Sequence, residues 1–199
     1  MTDGRYRLEI IVLAAGKSSR MRGADKLLRP IDGVSLLRRS VLEAVNSTAS
    51  RTTVVLGFAQ HQRTACISDL PVRIIFSARA TRGMAYSLQS GIVALGKDAD
   101  GVLIVLADMP AITHADLNLL LAAFTPGRIV VAGSEGRPGN PVIFPAGLFV
   151  ELLQLQGDKG ARSIVTGNPK RVKIIDLPDR RASIDLDTPG DWKDWEGGE

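Results

Sequence analysis

Asp108 directly follows the most apolar segment of the chain, residues 102–107 (VLIVLA), and precedes Met109 and Pro110. The segment is interpreted as a buried strand, because continuous apolar runs are typical of parallel sheets covered on both faces. Ligands bind at the carboxyl ends of such strands, and Mg²⁺ takes one or two carboxylates together with phosphate oxygens and water. Asp108 is therefore a candidate metal ligand. The alternative is an aspartate that caps the turn at Pro110.

A second acidic pair, Asp185 and Asp187, lies near the C-terminus in the sequence DLDTP. Two carboxylates at positions i and i+2 of an extended segment face the same side. The alternative is an ordinary helix start, with Pro189 in the first turn. The presence of Asp108 together with this pair suggests one shared metal.

The segment 13–21 (LAAGKSSRM) follows the first apolar run of the chain. Its small residues allow backbone N–H groups to approach a phosphate closely, and Lys17, Arg20 and Lys26 can supply positive charge. It matches neither the complete Walker A pattern nor the dinucleotide fingerprint, since Gly16 lacks the other glycines of the latter. Composition alone is compatible with two interpretations of this segment, a phosphate-binding loop and a generic turn with solvated basic residues.

These candidates require elements that bring them together. Apolar runs typical of strands alternate with helical patterns from residue 8 to about 132, which predicts an α/β fold. We expect a three-layer α/β/α arrangement around a mostly parallel, Rossmann-like sheet. The strand segments are residues 8–14, 52–56, 72–76, 102–107 and 128–132, and the helical ones are 34–45, 84–95 and a helix capped by Thr113 that runs to Phe124.

The last third of the chain is less regular. Short strands are predicted at residues 141–144 and 172–175, with helices near 146–155 and 160–166. The Gly- and Pro-rich stretch 133–141 is predicted to be an active-site loop. With no long linker, we expect a single domain over residues 1–199, its nucleotide-binding part about 8–132 and its acceptor-binding part about 133–199.

Composition narrows the chemistry further. The chain has 25 Lys and Arg against 21 Asp and Glu, a net charge of +4, which fits both a solvated surface and a cleft for polyanions. Aromatic residues make up only 5% and no basic block occurs, which argues against nucleic-acid binding. A single cysteine, Cys66, excludes an intramolecular disulfide, and the distant His61 and His114 argue against a zinc site.

Targeting signals are not evident in the chain. No apolar run approaches the ~20 residues that a bilayer-spanning helix needs, and the polar residues 1–7 lack a signal-peptide core. We therefore expect no membrane partner and a reducing, cytoplasmic location.

Seven motifs together resemble one family. Their order along residues 8–195 is similar to that of the MobA-like nucleotidyltransferases, and most similar to the molybdenum cofactor cytidylyltransferases (MocA-like). Each motif alone is weak, but the ordered set is specific. The motifs are LAAGKSSRM (13–21), DKLL (25–28), RGMAYSLQSG (82–91), ADMP (107–110), GRPGNPVIF (136–144), GDKGAR (157–162) and DLDTPGDW (185–192).

The resemblance implies a nucleotide-diphospho-sugar transferase type of fold and a Mg²⁺-dependent enzyme, with Mn²⁺ as an alternative cation. It implies transfer of CMP from CTP to the phosphate of molybdopterin, with release of pyrophosphate. CTP is favoured because relatives with Leu-Ala-Ala-Gly tend to use it, whereas guanylyltransferases of the group more often carry a Gly-Gly pair. A molybdenum hydroxylase or its chaperone would be a further partner, and a monomer fits this reading.

The same resemblance assigns roles to individual residues. Arg20 and Lys26 would bind the phosphates and form the catalytic set with Asp108, while Asp108 and Asp187 would hold Mg²⁺. The nucleotide-binding positions would be Leu13, Ala14, Ala15, Gly16, Lys26, Gly83, Ser87 and Asp108. The positions on the acceptor side would be Asn140, Pro141, Asp158 and Arg162.

This chain departs from the family pattern at two points. Arg22 precedes Gly23, which shifts the Asp25–Lys26 pair by one residue, and Tyr86 precedes the Ser87 of the base-binding motif. One alternative function is a related nucleotidyltransferase with another nucleotide or a different phosphorylated acceptor, such as a sugar phosphate or methylerythritol phosphate. The other is a non-catalytic, nucleotide-binding cofactor chaperone, which could keep the loop and lose the metal ligands.

Overall fold

The computed structural model describes residues 6–21, 23–158 and 160–197, so Arg22 and Lys159 of the motifs lie outside the described residues. No helix in these ranges has both the length and the apolar character needed to cross a bilayer. The strands are β1 (Leu8–Leu13), β2 (Pro30–Ile31), β3 (Val34–Ser35), β4 (Arg51–Gly57), β5 (Arg73–Ser77), β6 (Gly101–Leu106), β7 (Ile129–Ser134), β8 (Arg137–Pro145) and β9 (Val172–Asp176). The α-helices are α1 (Leu36–Val45), α2 (His61–Ala65), α3 (Met84–Val93), α4 (His114–Ala122), α5 (Phe149–Leu153), α6 (Arg162–Gly167) and α7 (Pro189–Glu196).

Seven of these strands form one sheet in the order β5-β4-β1-β6-β8-β7-β9. Strand β8 runs antiparallel to both of its neighbours, β6 and β7, and the other adjacent pairs are parallel. The prediction of a mostly parallel sheet is therefore confirmed.

Apolar side chains cover both faces of the sheet, as the continuous apolar runs predict. Consecutive residues of a strand point to opposite faces, and Ile10 and Ile11 of β1 belong to two different cores. Helices α1 and α4 pack on the first face, and α3, α5 and α6 pack on the second. The predicted three-layer α/β/α architecture follows from this arrangement.

The strand register places the ends of β1 and β6 at one level, and β4 continues two residues further, to Gly57. Leu13, the last residue of β1, pairs with Val55 of β4 and with Leu106 of β6. The pairing of β1 and β6 also continues one residue past β6, because the Ala107 N–H donates to the carbonyl of Leu13 at 3.2 Å. The segments after these two strands, which carry the candidate residues, are therefore neighbours.

The helix predicted over residues 34–45 begins two residues later than expected. Val34 and Ser35 form the short strand β3, which pairs with β2 in a small hairpin. The Ser35 side chain then accepts a hydrogen bond from the Arg38 N–H at 3.4 Å and caps α1.

The prediction of an active-site loop over residues 133–141 was wrong, because most of this stretch lies in the antiparallel strands β7 and β8. The turn consists of Glu135 and Gly136, whose φ angles of 53° and 74° are both in the left-handed region. Two such residues form the tight turn that matches the twist of antiparallel strands. Gly139 also lies against the 3₁₀ segment Pro178–Ser183, since a Cβ on Gly139 would be 2.2 Å from the Ala182 carbonyl oxygen.

Candidate active site

A cleft of about 510 Å³ lies at the carboxyl edge of the sheet, beside the ends of β1 and β6. It brings together the nucleotide, catalytic and metal positions implied by the resemblance, and Asp158 from the acceptor side. Asn140, Pro141 and Arg162 lie outside its lining. The lining residues are Leu13, Ala14, Ala15, Gly16, Lys17, Ser18, Ser19, Arg20, Lys26, Leu27, Ala80, Thr81, Gly83, Met84, Ser87, Leu106, Asp108, Asp158, Asp185 and Asp187.

The floor of the cleft holds an ammonium group between two carboxylates. Lys26 Nζ lies 2.6 Å from Asp108 Oδ2 and also donates to Asp187 Oδ1. Arg20, whose side chain is 68% exposed, reaches Asp187 from the solvent side. The residues assigned to phosphate and metal binding are therefore in direct contact, although they are far apart in sequence.

The C-terminal segment brings Asp187 to Asp108. The Leu186 N–H donates to the Asp108 carbonyl at 3.0 Å, and the Leu186 side chain is buried in the core. Helix α7 then starts at Pro189, and its N-cap residue Thr188 forms a capping box with Asp191. The prediction of a helix start at this motif is thus correct. It is compatible with the interpretation as a metal site, because the start of the helix fixes the position of Asp187.

Lys26 reaches the carboxylates although Arg22 is inserted before it. Asp25 caps a short 3₁₀ helix, Lys26–Leu28, and its side chain accepts from the Leu27 N–H at 3.1 Å. Leu27 is buried in the core, which directs this turn inwards.

The charges in the cleft perturb one another. Burial lowers the pKa of Lys26, but the attraction of Asp108 and Asp187 outweighs it and raises that pKa above its ordinary value. Burial and the nearby charges of Asp108 and Asp187 raise the pKa of Asp185. Three carboxylates, those of Asp108, Asp185 and Asp187, therefore line the cleft together with Lys26 and Arg20.

One observation is compatible with a hard divalent cation at Asp108. Its Oδ1 is buried and has no hydrogen-bond partner among the described residues, so it has a free lone pair. Over the same ranges, no group of three or more His, Cys, Asp or Glu could hold a metal without other ligands. Two carboxylates with open positions are typical of Mg²⁺ sites that are completed by substrate phosphates and water.

The β1 loop, defined as residues 14–18, has carbonyl groups bound by residues in and beside α2 and three successive amide groups left without a protein acceptor among the described residues. The carbonyls of Ala14, Ala15 and Gly16 accept hydrogen bonds from Arg63 and Gln60, in and beside α2. Among the described residues, the N–H groups of Ala15, Gly16 and Lys17 have no protein acceptor. Successive free N–H groups form a concave anion site. No motif in the sequence marked Arg63 or Gln60.

The start of α3 packs against the segment that carries Asp158. Gly83 has φ 130°, in the region that favours glycine, and a Cβ there would be 2.3 Å from the Gly157 carbonyl. The Ala85 N–H donates to the Gly157 oxygen at 3.1 Å. This contact places Asp158 and the buried Ser87 on the same cleft.

Gly83→Ala is expected to displace the 157–158 segment from α3. The strained φ and the backbone clash together should lower the free energy of unfolding by roughly 1–3 kcal/mol. Thermal unfolding with and without nucleotide measures this effect. Gly127→Ala is the matched control, because Gly127 has φ 78° but no atom within 4 Å of the added Cβ. Equal losses in both variants would contradict a role for the close packing.

The sheet and the cleft define a nucleotidyltransferase fold, and the chain matches the MobA-like NTP transferase domain over residues 10–172. The chain belongs to this family, which confirms the resemblance seen in the seven motifs. It is 30% identical to the purine catabolism protein PucB of Bacillus subtilis strain 168 over 192 residues, which cover 92% of both chains. It is 29% identical to nicotine blue oxidoreductase of Paenarthrobacter nicotinovorans over 187 residues, 89% of this chain and 91% of that one.

The solved structure of Rv0371c from Mycobacterium tuberculosis H37Rv is also similar. It superposes with a TM-score of 0.86 at 26% identity and covers 94% of this chain and 96% of its own. Rv0371c has also been solved in complex with manganese, and that structure aligns with a TM-score of 0.81 at 23% identity over the same shares of the chains.

Proposed function

We propose that this protein transfers CMP from CTP to the terminal phosphate of a molybdopterin-type acceptor and releases pyrophosphate. The observation that carries this proposal is the contact of Lys26 with Asp108 and Asp187, beside a loop that presents free N–H groups. The three charged residues could bind a triphosphate through charge and a metal ion, and the N–H groups of the loop could bind it through hydrogen bonds.

The transfer needs little covalent chemistry from the protein. A terminal phosphate oxygen of the acceptor forms a new bond to the α-phosphorus of CTP, and the bond between this phosphorus and the α,β-bridging oxygen breaks. The electron pair leaves with pyrophosphate. No general base is needed, because a phosphate monoester is already ionised at neutral pH. The chain's task is positioning and charge stabilisation.

The residues of the cleft divide this task. The N–H groups of the β1 loop bind phosphate oxygens, and Arg20 and Lys26 neutralise the charge that builds up on the leaving pyrophosphate. Asp108 and Asp187 would hold Mg²⁺ or Mn²⁺, which neutralises phosphate oxygens when bound. The complex of Rv0371c with manganese supports a divalent cation in this family.

CTP and molybdopterin remain the specific part of the proposal. The Ala14–Ala15 pair supports CTP through the family pattern, and both residues are nearly fully buried against the cleft. The names of the two relatives, a purine catabolism protein and an oxidoreductase, do not agree on one substrate. The acceptor therefore has to be identified by assay.

A nucleotide panel tests the proposal directly. CTP, GTP, ATP and UTP are each incubated with molybdopterin, the protein and Mg²⁺ or Mn²⁺, and pyrophosphate release is measured. We expect release with CTP, dependent on both the acceptor and the cation. Parallel reactions with a sugar phosphate or methylerythritol phosphate test the other acceptors.

Each other outcome points to a different function. Release with another nucleotide or acceptor would retain the nucleotidyltransferase and replace the substrates. Binding of CTP without release, in the presence of every acceptor, would contradict catalysis and support a nucleotide-binding cofactor chaperone.

A further inference from the structure

A buried arginine, which belongs to none of the seven motifs, forms hydrogen bonds with the β1 loop. The Arg63 side chain of α2 is only 3% exposed. Its Nη1 donates to the Ala14 carbonyl at 2.5 Å, and its Nη2 lies 3.3 Å from Ser18 Oγ. Its Nε and Nη2 donate to the two carboxylate oxygens of Asp25, both at 2.7 Å.

These contacts join both ends of the β1 loop to the residue before Lys26. Ala14 begins the loop, Ser18 ends it, and Asp25 caps the 3₁₀ helix that carries Lys26. Ser18 has φ 52°, in the left-handed region that is strained for a residue with a side chain. Its hydroxyl donates to Asp25 and accepts from the Lys26 N–H, which holds this conformation together with Arg63.

We propose that Arg63 is a positioning residue that fixes the β1 loop and Lys26 in the arrangement that binds the nucleotide triphosphate. The inference rests on the proposed function, and it extends that function to a side chain that does not line the cleft. With the loop carbonyls bound by Arg63 and Gln60, the free N–H groups of Ala15, Gly16 and Lys17 are presented together.

The cost of burying a guanidinium argues that more than stability is involved. A buried ion pair is often no more stable than apolar residues of similar volume. A planar fork with five donors can nevertheless bind a carboxylate in a bidentate manner and still reach a carbonyl and a hydroxyl. An apolar side chain could fill the space beneath the loop but could not orient its carbonyls.

The test measures nucleotide binding in variants that are kept well below their unfolding temperatures. For Arg63→Met, the Kd of CTP with Mg²⁺ should rise by about 10²-fold, if the misplaced N–H groups lower affinity on the same scale on which small misplacements lower rates. Arg63→Lys keeps the charge and loses the fork, so its Kd should be intermediate. Amide hydrogen exchange at residues 14–19 should accelerate in both variants.

Arg38→Met is the matched control. Arg38 also forms a bidentate pair, with Asp69, but it lies outside the cleft lining, and its loss should leave CTP affinity unchanged. If Arg63→Met does not fold, Arg63→Lys and Asp25→Asn decide, since each weakens the same pair without emptying the site.

The outcomes separate this inference from the proposed function. A folded Arg63 variant with a lower unfolding temperature but normal CTP affinity and normal exchange of the loop would show a structural role and overturn the inference. If the unmodified protein binds none of the four nucleotides, the proposed function fails. In that case the exchange data alone decide whether Arg63 orders the loop.

Discussion

Asp108→Ala should reduce the rate of pyrophosphate release by at least about 10²-fold at saturating CTP and cation. Asp108 supplies a carboxylate to the proposed metal site and is one of the two acidic partners of Lys26. Its Oδ1 has no partner among the described residues, and Lys26 keeps Asp187 after the substitution, so folding should be little affected. The rate, the thermal midpoint and the affinity for Mn²⁺ are measured on the same preparation.

Asp98→Ala is the control for this variant. Asp98 precedes β6 at the opposite edge of the sheet, where it pairs with Arg7, so the substitution removes a carboxylate without touching the cleft. Near-normal turnover of Asp108→Ala, or an unchanged affinity for Mn²⁺, would refute the assignment of Asp108 as a metal ligand.

Lys26→Met should lower the rate by about 10²-fold, because the charge on the leaving pyrophosphate is no longer neutralised. The preference between CTP and GTP should stay the same, since the family resemblance assigns base binding to the motif that contains Gly83 and Ser87 and not to Lys26. The same variant should bind Mn²⁺ more tightly in the absence of nucleotide. Removal of the ammonium leaves Asp108 and Asp187 without the cation that now lies between them.

Activity and cation affinity should therefore change in opposite directions in Lys26→Met. Lys97→Met is the control, because Lys97 is an exposed lysine outside the cleft lining. A change in CTP/GTP preference would contradict the phosphate role of Lys26. Unchanged affinity for Mn²⁺ would show that the ammonium group and the cation do not compete for the same carboxylates.

Local patterns determined most of the fold. Burial explains the apolar runs of β1, β4 and β6 and the apolar stripe of α1. Whether such a segment is buried can be read from its own residues, so its type could be predicted locally. The prediction failed at two places. The geometry of the Glu135–Gly136 turn produced a hairpin instead of a loop, and the Ser35 cap placed the start of α1 at Leu36. Both depend on the backbone angles or hydrogen bonds of one or two residues, which hydrophobic periodicity does not show.

By itself, the sequence determined the α/β class and, through seven ordered motifs, the family and the main residues of the cleft. The tertiary structure decided how these residues meet. The Asp108–Lys26–Asp187 contact depends on the Leu186 hydrogen bond and on the common level at which β1 and β6 end. The role proposed for Arg63 depends on its contacts with Asp25 and Ala14, which come from distant segments that no local pattern identifies.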